Sequence, residues 1–97
     1  MTGTARSSDG LDPRRRRALF RAWHRGTREM DLLLGRFADT HIDGLSERDL
    51  VDFEALMEVP DPALFAWVTG AEPVAANYST PLYAALVRYH SGIHEQD

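Results

Sequence analysis

Cysteine and lysine are both missing from these 97 residues. Without cysteine there is no disulfide framework, no thiolate nucleophile and no thiolate ligand for a metal. No apolar run approaches the roughly 20 residues that a membrane-crossing helix needs. No strand-like alternation of useful length occurs either. The arginine cluster near the start is not followed by an apolar stretch, so no secretory signal is expected. These absences predict a cytoplasmic chain with no membrane insertion. Its length predicts one domain, able to hide about two-thirds of its unfolded surface.

All eleven basic residues are arginines, and they are unevenly placed. Residues 1–25 hold seven of them against Asp9 and Asp12, whereas residues 26–97 hold four against thirteen acids. The net charge is −4. A basic arm on an acidic body points to an interaction surface.

The chain reads as five short helices. Residues 1–11 are small, polar and without period, and are expected to form a disordered tail. Asp12-Pro13 is a cap followed by proline at the first helical position. The first helix then runs to about His24, with Leu19 and Trp23 one turn apart and Phe20 and Ala22 broadening the apolar stripe. A second helix starts near Gly26 or Thr27. Its Met30, Leu33, Leu34, Phe37, Ala38 and His41 follow the spacing of one buried face. Gly44 ends that region. Ser46-Glu47-Arg48-Asp49 resembles a capping arrangement, and Leu50, Phe53, Leu56 and Met57 form the apolar side of a third helix. Pro60-Asp61-Pro62 opens a fourth, with Leu64, Trp67 and Val68 inward and Gly70 as its stop. Thr80-Pro81 opens a fifth, carrying Leu82, Tyr83, Leu86 and Val87. The expected architecture is all-α, a single compact five-helix bundle-like domain over residues 12–91, with residues 92–97 frayed.

Few residues suggest chemistry. His90 and His94 are spaced for one helical face but lack the further ligands a zinc site requires. No serine sits in an elbow motif, and no glycine-rich phosphate loop or dinucleotide fingerprint is present. Asp49, Asp52, Glu54 and Glu58 read as a solvated face. Neither an enzyme, a resident cofactor nor a metal is expected. Arg14-Arg15-Arg16-Arg17 with Arg21 makes a basic stripe that could meet phosphates. Glu29, Asp31 and Asp39 on the next helix oppose that, so no nucleic acid is expected, although a DNA-binding regulator stays open.

The corner Trp23-His24-Arg25-Gly26-Thr27-Arg28-Glu29 admits two readings. In one, Gly26 relieves a helix break and Arg25–Glu29 form an i, i+4 pair worth roughly 0.2–0.5 kcal/mol. In the other, Gly26 lets a partner's backbone come close while Arg25 and Arg28 donate to its carboxylates or carbonyls. The residues alone do not choose between them.

This RG-x-x-E corner, followed by Leu34-Gly35-Arg36-Phe37-Ala38, then Glu58-Val59-Pro60-Asp61-Pro62 and Leu64-Phe65-Ala66-Trp67-Val68-Thr69-Gly70, resembles the succinate dehydrogenase assembly factor 2 family, whose bacterial branch is SdhE. The likeness runs from Arg17 to about Val74. It implies a five-helix fold and a non-catalytic FAD assembly factor. Such a factor binds the flavoprotein subunit of succinate dehydrogenase, and in some bacteria that of fumarate reductase, and promotes covalent FAD attachment there. It implies a partner-binding surface at Arg25, Gly26 and Glu29, with Thr27 and Arg28 filling the variable positions. An antitoxin-like protein-interaction module is the other alternative.

Overall fold

A computed structural model describes residues 9–96, with side chains as far as residue 92. It holds five α-helices and, among the described residues, no strand: α1 Pro13–Trp23, α2 Arg28–His41, α3 Glu47–Leu56, α4 Asp61–Val68 and α5 Pro81–Gln96. Two 3-10 turns, Ile42–Gly44 and Ala76–Tyr78, follow α2 and precede α5. The all-α, five-helix expectation holds. By its contacts the chain divides between Ser46 and Glu47 into two units.

In the first unit, α1 packs on α2. The helix start is the one the sequence predicts: Asp12 caps α1 by accepting from the Arg15 N–H at 3.2 Å, and Pro13 stands at the first position. Ala18, Leu19, Ala22 and Trp23 are buried on α1, and Met30, Leu33, Leu34, Phe37 and Ala38 on α2. Fully burying one leucine such as Leu34 contributes about 1.5–3 kcal/mol.

Three differences from the sequence reading stand out here. Leu11, assigned to the tail, is buried, and its carbonyl accepts from Arg16 Nη1 at 2.8 Å at the helix entry. The first eight residues of that tail lie outside the described residues. Phe20, assigned to the apolar stripe, is 62% exposed. It is turned about 100° from Leu19 around α1, at the edge of the buried stripe, and stacks on His24. His41 is only half-buried and stacks on Phe37 at 4.4 Å.

Within the arginine run, Arg15 has an inward role. Its Nη1 meets Asp12 Oδ1 at 2.9 Å, its Nε donates to the Ile42 carbonyl at 3.0 Å, and its Nη2 to the Leu45 carbonyl at 2.6 Å. Both carbonyls lie in the segment that follows the end of α2. One guanidinium therefore ties the start of α1 to the chain leaving α2.

In the second unit, α3 packs on α5 and on the Ala76–Tyr78 turn, and α4 packs on α5. Leu50, Phe53, Leu56, Leu64, Val68, Leu82, Tyr83 and Leu86 are buried. Burial raises the Tyr83 phenol above its ordinary pKa. Thr80 Oγ1 accepts from the Tyr83 N–H at 3.0 Å, the expected cap-then-proline start of α5. The backbone of α5 stays helical to Gln96, past the limit near residue 91 that the sequence suggested. Trp67, expected inward, is half-buried with its ring 5.5 Å from that of Tyr78. Asp49, Asp52 and Glu54 are half-buried rather than solvated. Asp52 Oδ2 is buried without a hydrogen bond and has only Arg48 Nε at 3.7 Å. No helix among the described residues is long and apolar enough to cross a membrane.

Candidate partner-binding site

The chain turns from α1 into α2 over His24 to Thr27, and each residue of the turn has a distinct backbone task. His24 ends α1, its N–H still bonded to the Arg21 carbonyl at 3.2 Å. Gly26 adopts φ +110°, a region that L side chains rarely enter. A Cβ built there meets nothing within 4 Å, so the glycine is required by backbone conformation rather than by crowding. Thr27 caps α2, its Oγ1 accepting from the Met30 N–H at 3.3 Å and its carbonyl from the Asp31 N–H at 3.0 Å.

Two braces from α2 hold the turn. Asp31 Oδ1 accepts the Arg25 N–H at 2.6 Å. Asp39 Oδ1 accepts the Trp23 indole N–H at 3.0 Å. The indole itself lies flat over Gly35. A glycine inside a helix costs about 1 kcal/mol relative to alanine, and here it makes room for the aromatic ring. The corner is thus clamped immediately before and immediately after its last α1 turn.

What the clamp presents is charged and accessible. Gly26, Thr27, Arg28 and Glu29 are exposed and Arg25 is half-buried. Neither Arg28 nor Glu29 has a side-chain hydrogen bond or ion pair among the described residues. The i, i+4 pair between Arg25 and Glu29 does not form, because α2 begins only at Arg28 and leaves Arg25 outside the helix. All five sequence-assigned residues therefore fall on one short segment. The bracing residues Asp31, Asp39 and Gly35 were not among them. Their signal in the sequence was weak: an acid four residues after the capping threonine, and a glycine interrupting the best helical period in the chain.

Among the described residues no group of histidine, aspartate and glutamate side chains is arranged to hold a metal ion. The side chain of His94, one half of the spaced histidine pair, lies outside the described residues.

A family model described as "Flavinator of succinate dehydrogenase" matches residues 16–90, which contain the whole corner and four of the five helices complete or nearly so. The chain belongs to this family. The FAD assembly factor SdhE of Acetobacter pasteurianus is 41% identical over 81 residues, covering 84% of this chain and 74% of that protein. The FAD assembly factor SdhE of Legionella pneumophila is 40% identical over 62 residues, 64% of this chain and 78% of its own. The mitochondrial succinate dehydrogenase assembly factor 2 of Dictyostelium discoideum is 35% identical over 80 residues, 82% of this chain but 56% of its own length. No solved structure matches.

Proposed function

We propose that this chain is a cytoplasmic assembly factor that binds the flavoprotein subunit of succinate dehydrogenase, with that of fumarate reductase as the alternative target known for some bacteria, and promotes covalent attachment of FAD to it. Docking is assigned to Arg25, Gly26, Thr27, Arg28 and Glu29. The observation that carries this reading is the corner itself: Gly26 at φ +110° with Arg28 and Glu29 exposed and without partners among the described residues, on a chain that belongs to the flavinator family. Family membership favours this reading over the regulator and the antitoxin-like module.

The factor is not itself an enzyme in this proposal and keeps no FAD or metal of its own. Attachment needs the flavin and its target side chain held in reactive geometry within the partner. Good positioning supplies up to about 7–11 kcal/mol of barrier reduction in favourable model systems. A docked helper contributes to the extent that it binds the attachment-competent arrangement of the flavoprotein better than the others. Arginine suits such a role because its planar donors fix orientation as well as charge.

The test is in-gel flavin fluorescence of the flavoprotein in cells lacking this chain and then supplied with wild type or with Glu29→Gln. Glu29 is exposed and has no partner among the described residues, so the variant keeps its fold. Rescue by wild type and not by the variant supports the reading; full flavinylation in the absence of the chain overturns it.

A further inference from the structure

The outer face of α1 carries side chains that the corner does not use. Arg16, Arg17, Phe20 and Arg21 stand one turn apart in two rows, and with Pro13 they line a shallow open groove. Phe20 is the most exposed large apolar side chain among the described residues. Its ring stacks on the His24 imidazole at 3.8 Å and 18°. His24 Nδ1 in turn sits 2.6 Å from the Phe20 carbonyl, which can only accept, so the imidazole is the donor there. The aromatic pair is therefore held in one orientation. It leads directly into Arg25, so groove and corner are continuous along the chain.

No acid lines the groove. Arg17 makes no side-chain hydrogen bond or ion pair among the described residues, Arg16 donates from Nη1 to the Leu11 carbonyl, and three arginine side chains line the groove beside one apolar ring. This is the complement of a protein segment that offers carboxylates around an apolar side chain. Arginine meets carboxylates through two parallel hydrogen bonds, and an exposed phenylalanine gains by being covered. The acids Glu29 and Asp31 in the first turn of α2, and the net charge of −4, oppose the long run of phosphates in a nucleic acid.

We propose that the α1 groove is a second contact surface for the same flavoprotein, one that takes an acidic segment of that subunit and covers Phe20 with an apolar residue from it. The inference rests on the flavoprotein reading above. The groove supplies affinity and electrostatic steering, and the corner supplies orientation.

The experiment measures the affinity of the full chain for the flavoprotein subunit from about 50 to about 200 mM salt, for wild type, Arg17→Glu, Phe20→Ser and Glu29→Gln. Both α1 positions are exposed, and unchanged far-UV circular dichroism checks that both variants stay folded. Arg17→Glu should weaken binding about tenfold at low salt and flatten its salt dependence. Phe20→Ser should weaken it about fivefold at every salt concentration. If both bind as wild type while Glu29→Gln fails, the groove is overturned and the corner stands. If both weaken while Glu29→Gln binds normally, the groove is supported and the corner assignment fails. If wild type does not bind the flavoprotein, both fall. A single-stranded oligonucleotide that binds wild type more tightly than the flavoprotein does, and loses affinity with Arg17→Glu, would also overturn the inference, since exposed aromatics and arginines serve such ligands too.

Discussion

Trp23 and Gly35 are in contact so close that no side chain fits between them. A Cβ built on Gly35 would lie 2.7 Å from Trp23 Cε3, and closer still to Cδ2 and Cε2. Those atoms belong to a buried ring whose indole N–H is fixed by Asp39 at 3.0 Å, so it has little room to retreat. In an ordinary helix interior Gly→Ala stabilises by about 1 kcal/mol. At this position the sign reverses: Gly35→Ala should destabilise by about 1–3 kcal/mol, the usual cost of overpacking. Urea denaturation gives the magnitude, and tryptophan emission in a Trp67→Phe background should report a more solvated indole.

Asp31 reaches back across the turn to the Arg25 N–H at 2.6 Å. Asp31→Ala removes that acceptor and should cost about 0.5–1.5 kcal/mol, while Asp31→Asn retains an oxygen and should cost less. Hydrogen exchange at the Arg25 amide is the local readout. It should quicken in the alanine variant and stay near wild type in the asparagine variant.

Gly26 has space around it but an unfavourable φ for any L residue. Gly26→Ala should therefore destabilise by about 1–2 kcal/mol through the backbone alone. A synthetic chain with D-alanine at position 26 should recover most of that loss, because the mirror-image residue favours positive φ. Equal stabilities for the two alanine forms, measured by thermal unfolding, would show that the turn does not hold this conformation in solution.

Asp12 is held below the ordinary carboxylate pKa, first by its side-chain hydrogen bond from Arg15. A carboxylate with a lowered folded pKa stabilises fully above its unfolded value of about 3.9. That contribution fades as pH falls through the lower folded value. Asp12→Asn keeps the helix cap but should remove this part of the acid sensitivity. The melting temperatures of wild type and variant should therefore converge as pH drops below about 4.

The helices were legible in the sequence wherever an end signal and a buried face agreed. Asp12-Pro13, Thr27 and Thr80-Pro81 each start a helix, and the period from Met30 to Ala38 marks one inward side. The failures came where a residue type was read without its angle. Phe20 is apolar and adjacent to Leu19, yet a step of one residue turns it about 100° away from the core. Trp67 is shared between the interior and Tyr78 in the same way. The corner residues were singled out because a motif marks them, and their exposure is what the fold adds. The groove beside it was not, because a solvent-facing phenylalanine and a buried one are the same letter. The braces were hidden for a related reason: Asp31 and Asp39 look like surface acids until the fold brings the Arg25 amide and the Trp23 indole to them.

Four identical letters, Arg14 to Arg17, hide unequal tolerance to change. Arg15 uses three separate nitrogens on three acceptors, a pattern that a single ammonium cannot reproduce. Arg17 spends no nitrogen on the described residues. A lysine codon should pass unnoticed by the folded chain at position 17 and leave an orphaned carbonyl at position 15. Drift through this stretch would then be filtered one residue at a time, with the interior policing Arg15 and only an outside molecule policing Arg17.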